Sequence, residues 1–249
     1  MGSPVNSGRL IFISGWGTDS SCWDSVINKI DRPVSFRHLN WWECLNDTVE
    51  RNALLQILEK EKDDAIIVGW SLGTLVALTG VALGSDHVKS LVLVSGTSRM
   101  TSQGNYSGVD SRALKAMYVR FGRTPRQVIE EFARLSIDGG LDSLAETNEF
   151  IDMFVKQAER LKSDHLAAGL RYLQQKDLRR ILPEVGIPVH LLHGVGDRII
   201  PVECARYMQG ALPKARLEEV HGGGHALLYT IPTHVAGFIR DAIDGNFDT

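Results

Sequence analysis

Little in this chain is in excess, and the shortages are informative. Only three cysteines occur in 249 residues, Cys22, Cys44 and Cys204. Their spacing fits neither a disulfide framework nor a zinc site, so a reducing, cytoplasmic compartment is expected. No apolar run reaches the roughly 18 residues of a membrane span, so no membrane association is expected. No charged-then-apolar secretory segment opens the chain, and residues 1–7 read as a start and a short polar tail. Charge of one sign is also lacking. The balance of 27 Lys+Arg against 30 Asp+Glu leaves a net charge of −3. Bulk attraction to nucleic acid is therefore not expected, although a local basic patch stays open. With 43% hydrophobic and 23% charged residues, the composition is that of an ordinary globular domain. The mild surplus is glycine, with 24 against 8 prolines, above the usual share of about 7%.

Short apolar runs alternate with helical patterns. Residues 9–14 (RLIFIS), 34–39, 65–70 (AIIVGW), 90–95 (SLVLVS) and 188–193 (PVHLLH) read as strands, with 217–220 a weaker sixth. Several are apolar on both faces, as buried parallel strands are. Helical patterns cover 21–30, 46–62, 72–83, 202–211 and 226–243. The alternation predicts an α/β fold, a doubly wound and mostly parallel sheet of about six strands with right-handed crossovers. Between the fourth and fifth strands it stops. Residues 111–121, 125–137, 143–162 and 165–174 read as helices only, punctuated by Gly104, Gly108, Gly122, Gly139 and Gly140. Residues 1–97 and 186–249 are thus expected to form the core, and 98–185 a helical insertion over one edge of the sheet.

The strongest local signal is Gly69-Trp70-Ser71-Leu72-Gly73. It follows a predicted buried strand and opens a predicted helix, the context that makes a G-x-S-x-G turn a nucleophile elbow. The sharp turn lifts the serine hydroxyl off the strand end, and the flanking glycines let strand and helix approach closely. The helix N-terminus adds partial positive charge beside a developing oxyanion. The alternative is a tight turn with an incidental serine.

A serine needs a base, and the base needs an orienting group. In this chain order the acid and then the histidine follow the serine. Asp197 lies on the loop after the fifth strand, in His193-Gly194-Val195-Gly196-Asp197. His225 ends His221-Gly222-Gly223-Gly224-His225, before the last helix. We assign Asp197 as the acid and His225 as the base. His221 is the rival base, while His190 and His193 lie inside a strand and read as structural. Asp164 and Asp177 lie in helical stretches and read as solvated. The oxyanion donors are expected to be the backbone N–H groups of Leu72 and of Trp16, the latter in Ser14-Gly15-Trp16-Gly17 after the first strand. The Trp16 indole is expected to line the acyl pocket.

These residues carry a resemblance. The chain resembles α/β-hydrolase-fold serine esterases over nearly its whole length. Within them it is most similar to the pimeloyl-[acyl-carrier-protein] methyl ester esterases of biotin synthesis. The carrying residues are Gly15-Trp16-Gly17 with Trp23, and Gly69-Trp70-Ser71-Leu72-Gly73. Further matches run from Ala168 through Gly169, Leu170, Arg171, Tyr172 and Leu173 into Asp177-Leu178-Arg179 and Ile187-Pro188-Val189, then Gly194, Asp197, Val202 and His225. The resemblance implies a triad and oxyanion donors at Ser71, Asp197, His225, Trp16 and Leu72. It implies hydrolysis of a methyl ester at the far end of a carrier-held acyl chain, with no metal or organic cofactor, and a helical cap that receives the carrier through basic residues. There are departures: Ser14 stands where many relatives have histidine, and residues 38–43 lack the usual Asp-to-Gly-x-Gly-x-Ser pattern.

The insertion's charges are unevenly placed. Residues 110–126 carry Arg112, Lys115, Arg120, Arg123 and Arg126 against Asp110 alone, while residues 128–153 are mostly acidic. Arg112, Lys115, Arg120 and Arg123 are expected to contact an acidic carrier protein. The alternative is a solvated face paired with the acidic segment. A monomer is expected. The rival functions are a generalist short-chain carboxylesterase, thioesterase or lactonase, a cofactor-free haloperoxidase, and, in another class, a non-catalytic binding protein of the same fold.

Overall fold

The structure is a computed structural model and describes residues 9–45, 52–61, 64–82, 87–138 and 143–245. Gly139, Gly140, parts of the helical patterns at 46–62 and 72–83, and the N-terminal tail lie outside them.

Six strands form one sheet: β1 (Arg9–Ile13), β2 (Ser35–Leu39), β3 (Ala65–Trp70), β4 (Val88–Val94), β5 (Val189–Gly194) and β6 (Ala215–Val220). Their order is β2-β1-β3-β4-β5-β6, and every neighbouring pair is parallel. Parallel strands are covered on both faces, which is why β3 and β5 are buried at every position. The chain moves outward from β1 to β2, then returns past β1 to β3. Loops at the C-terminal ends of β1 and β3 therefore diverge and leave a crevice at this switch in strand order.

Flanking helices are α1 (Asp24–Ile27), α2 (Ala53–Glu61), α3 (Leu72–Ala82), α8 (Val202–Ala211), α9 (Leu227–Thr230) and α10 (Pro232–Asp244). Helix α3 has no charged residue and is buried from Leu72 to Gly80, as a helix enclosed on all sides must be. The single helix read over 226–243 is two, because Pro232 cannot extend α9 and instead starts α10 at its first turn. Residues 21–30 begin as a 3-10 turn, Ser20–Trp23, capped by the Asp19 side chain.

Between β4 and β5 lie α4 (Ser111–Phe121), α5 (Pro125–Ile137), α6 (Leu144–Glu159) and α7 (Ser163–Gln175). Local chemistry sets their starts. Asp110 accepts from the Arg112 N–H, Pro125 opens α5, and Ser143 caps α6. The segment is not helical throughout. Isolated bridges join Thr101 to Val109, Gln103 to Tyr106, and Arg99 to Asp177. The last corrects the reading of Asp177 as a solvated helical acid: it follows α7 and is held by Arg99 and Arg179. Those guanidiniums hold its carboxyl well below the ordinary range. Together with Leu178 N–H donating to Ser98 O at 2.9 Å, they join the two ends of the inserted segment. Asp164, by contrast, is exposed in the first turn of α7.

All three cysteines are free and buried. Burial raises the Cys44 thiol to about 12, which keeps it protonated and unreactive. Among the described residues, no helix is long and apolar enough to cross a membrane.

The tightest packing lies where α3 leaves the sheet. A Cβ added to Gly73 would sit 2.5 Å from Ile13 O, a backbone atom at the end of β1. Gly73→Ala is expected to cost about 2–4 kcal/mol through this overlap. A lowered urea midpoint with unchanged slope would show it, and an unchanged midpoint would contradict it.

Candidate active site

The chain reverses at Ser71 between β3 and α3. Ser71 takes φ +54°, in the left-handed region that a side chain rarely adopts. Its N–H donates to Val94 O at 3.0 Å, and Thr74 N–H donates to Ser71 O at 3.0 Å. These bonds fix a turn that leaves the side chain above the strand ends. The approach tolerates no side chain at Gly69, where a Cβ would meet Gly73 O at 2.7 Å.

His225 Nε2 lies 2.9 Å from Ser71 Oγ, and its Nδ1 lies 2.7 Å from Asp197 Oδ2. A carboxylate only accepts, so Nδ1 carries the imidazole proton and Nε2 accepts from the serine hydroxyl. The imidazole backbone is held from both sides. The Trp70 indole N–H donates to His225 O at 3.1 Å, and Ala226 N–H donates to Ser136 O of α5 at 2.9 Å. The carboxylate is fully enclosed. Its Oδ1 accepts from the backbone N–H groups of Ile199 and Ile200, both at 2.8 Å. Burial opposes the charge on Asp197, yet attraction to His225 and hydrogen bonds from His193 and His225 outweigh it and hold the carboxyl below its ordinary range.

Ser71, Asp197 and His225 are thus brought together. His221 is not among them; it lies exposed on the turn after β6, whereas His225 is 0% exposed. His190 is buried in β5 against Phe238, with its pKa lowered to about 4 by burial. His193, read from the sequence as purely structural, has its Nε2 3.3 Å from Asp197 Oδ2.

Trp16 and Leu72 flank the serine, one on the loop after β1 and the other opening α3. Neither backbone N–H donates to an acceptor among the described residues. The Trp16 indole is buried. Its N–H donates to Leu166 O of α7 at 2.9 Å, which ties this loop to the insertion. Its ring meets Phe132 edge-on at 5.0 Å and Phe121 at 6.1 Å.

Phe132 also stands edge-on to His225 at 6.1 Å, and lies 5.8 Å from Phe154. Phe150 and Tyr229 continue the wall toward Trp70. The sequence marks these aromatics only as apolar stripes of helices. Which stripe faces the imidazole depends on how α5 and α6 lie across the sheet. Beneath this cover Ser71 is 6% exposed. Among the described residues, no group of three or more His, Cys, Asp or Glu side chains is placed to hold a metal ion.

The basic residues of 112–126 are divided by their partners. Arg120 pairs with Glu131 at 2.5 Å, Arg126 with Glu130 and Glu159, and Arg112 reaches Asp110 at 3.6 Å. Lys115 and Arg123 are exposed and make no ion pair among the described residues.

A parallel sheet with a strained serine between strand and helix, facing a histidine and a buried carboxylate, defines an α/β hydrolase. The model of the alpha/beta hydrolase family matches residues 10–236, and the chain belongs to that family. Among curated proteins it is 27% identical over 234 residues to a pimeloyl-[acyl-carrier protein] methyl ester esterase of Nitrosomonas europaea, covering 91% of this chain and 92% of that one. It is 28% identical to the protein of the same name from Aromatoleum aromaticum, covering 97% of this chain and all of the relative (100%). Among solved structures, an esterase from Exiguobacterium antarcticum superposes with a TM-score of 0.82 at 16% identity, over 95% of this chain and 92% of that one.

Because its folded pKa lies below the unfolded one, Asp197 stabilises the fold above the ordinary carboxylate range. That contribution is lost as pH falls through this range toward the folded value. Asp197→Asn is expected to cost about 1–3 kcal/mol at neutral pH, since it leaves buried donors without a charged acceptor. The gap from the parent should narrow as pH falls below about 4. Urea unfolding at a series of pH values measures it, and a gap that widens in acid contradicts it.

Proposed function

We propose that the protein is a serine esterase in which Ser71 is the nucleophile, His225 the general base and Asp197 the orienting acid. The single observation that carries this reading is the unbroken hydrogen-bonded chain from Ser71 Oγ through both ring nitrogens of His225 to Asp197. Ser71 attacks the ester carbonyl as its proton passes to His225 Nε2. The N–H groups of Trp16 and Leu72 receive the oxyanion. His225 then gives the proton to the leaving alkoxide, and the ester C–O bond breaks. Water, deprotonated by His225, attacks the acyl-enzyme, frees the carboxylate and restores Ser71. No metal or organic cofactor enters this chemistry.

The substrate we propose is the methyl ester of pimeloyl-[acyl-carrier protein], which is cleaved to the free carboxylate and methanol in biotin synthesis. Support comes from the names of the relatives, which match over nearly the whole chain, and from the wall of Trp16, Phe132, Phe150 and Phe154, suited to an apolar acyl chain. In this reading residues 98–185 form a cap, and the carrier meets it through Arg112, Lys115, Arg120 and Arg123. Lys115 and Arg123, which have no ion pair among the described residues, carry most of that contact. The protein acts as a monomer in the cytoplasm.

Ser71→Ala should lower ester hydrolysis by about 10⁴-fold or more while leaving the melting temperature close to that of the parent. Full activity would reject the mechanism. Lys115→Glu with Arg123→Glu should raise KM for the carrier-bound ester about tenfold and leave hydrolysis of a short p-nitrophenyl ester unchanged. An unmoved KM would reject the carrier surface. Poor turnover of the carrier-bound ester by the parent, beside rapid turnover of the short ester, would favour a generalist esterase.

A further inference from the structure

Asp197 has a second histidine on it. The His193 side chain is 1% exposed at the end of β5, and its Nε2 lies 2.9 Å from Ile200 O and 3.3 Å from Asp197 Oδ2. A carbonyl oxygen only accepts, so Nε2 of His193 must carry a proton. That N–H is directed at a carbonyl and a carboxylate together, both of them acceptors. The same Ile200 returns its own N–H to Asp197 Oδ1 at 2.8 Å. His193, Ile200 and Asp197 therefore close a ring, with the imidazole spanning the loop that carries the acid. Oδ2 is shared by two imidazoles, Nδ1 of His225 at 2.7 Å and Nε2 of His193.

The geometry points to His193 as a positioning residue that fixes the Asp197 carboxylate and moderates its pull on His225. This rests on the assignment of Ser71, His225 and Asp197 above. The two histidines have different tasks because their bonds differ. Nε2 of His225 faces the serine, so that ring is free to gain and lose a proton there. Nε2 of His193 is spent on Ile200 O, so that ring stays a donor throughout. A fixed donor on Oδ2 draws off part of the carboxylate's negative charge, and less remains to stabilise the His225 imidazolium. It also stops the carboxylate from rotating out of line with Nδ1, whose hydrogen bond to Oδ2 sets the tautomer. Other titratable groups stand around this site among the described residues. They are Glu219 of β6, which pairs with Arg206 of α8 at 2.7 and 2.6 Å, His221, which acts on Glu219, and the Cys204 thiol of α8.

The experiment compares His193→Phe, His193→Asn and His193→Gln in the full chain, with kcat and KM for a p-nitrophenyl ester followed across pH. Phe fills the space without a donor, Asn carries its N–H too short to reach, and Gln places an N–H near the former Nε2. His193→Phe and His193→Asn should lose about tenfold in kcat with KM within twofold of the parent. The acid limb of their pH profile should move to higher pH by about half a unit or more, because the less neutralised carboxylate raises the basicity of His225. His193→Gln should restore most of kcat and the parent profile. If His193→Phe does not fold, the contrast between Asn and Gln decides alone. Equal kcat and an unshifted acid limb in Asn and Gln would overturn the role. So would a loss in His193→Phe that appears only as lower thermal stability. Ser71→Ala measured in parallel separates the two levels. Its inactivity beside unaffected His193 variants overturns only the positioning role, whereas its full activity overturns the triad and this role together.

Discussion

One buried negative charge organises the business end of this molecule. The Asp197 carboxylate has no contact with water, and an isolated carboxylate in such a place would lose its proton only at great cost. It stays ionised because four N–H groups converge on it: two from its own loop, one from β5 and one from the loop after β6. Meeting that demand draws the ends of β5 and β6 together and orients His225. The orientation of His225 in turn sets the direction in which Ser71 donates. A serine in a strained turn provides the other end of the same chain of bonds. Remove the charge, and the tautomer of His225 has no cause, while the 194–200 loop keeps its backbone bonds to Gly194, Val220 and Gly223.

The inserted helices are part of this arrangement and not merely a cover. Helix α5 holds the residues beside the middle and the acid end of the chain of bonds. Ser136 O accepts from the residue after His225, and Arg198, the neighbour of Asp197, pairs with Asp138 just past the helix. Helix α7 holds the opposite wall through the Trp16 indole, and Gly169 lets it approach Trp16 and Trp41 at distances a side chain would forbid. The loop that presents the Trp16 N–H is therefore set by a carbonyl of the insertion as well as by β1. Movement of α7 and the geometry of that N–H are mechanically linked.

Much of this was legible from sequence because the physics is local. A strand buried on both faces must be apolar throughout, so β3 and β5 were evident, as were the helices with Asp, Pro or Ser at their starts. The serine turn was legible because only glycine fits beside it. Ser71, Asp197 and His225 follow from their places at strand ends, and the structure brings those three residues within hydrogen-bond reach. Asp177 reads from sequence as a solvated helical acid; it is exposed but follows α7 and is paired, and periodicity carries no record of its distant partner Arg99. The break at Pro232 was legible in principle, since proline cannot extend a helix already begun, but the apolar pattern ran straight through it.

Charge on the insertion shows the limit from the other side. Counting residues gave a basic segment and an acidic one. Only the packing of α4, α5 and α6 shows that Arg120 and Arg126 are already paired, while Lys115 and Arg123 make no ion pair among the described residues. His193 is the sharper case. By position it is a strand residue with its side chain in the core, as His190 is, and its place four residues before Asp197 does not by itself show that the two side chains meet. The two histidines differ because alternate residues of a strand face opposite sides of the sheet, and only one side holds the 194–200 loop. Sequence determined the order of the elements, the parallel sheet and the strained serine turn, because those follow from apolar pattern and steric room. Tertiary structure alone decided which histidines meet the carboxylate, which aromatics face the imidazole and which cations pair across helices, because each depends on how the chain is turned in space and not on spacing along it.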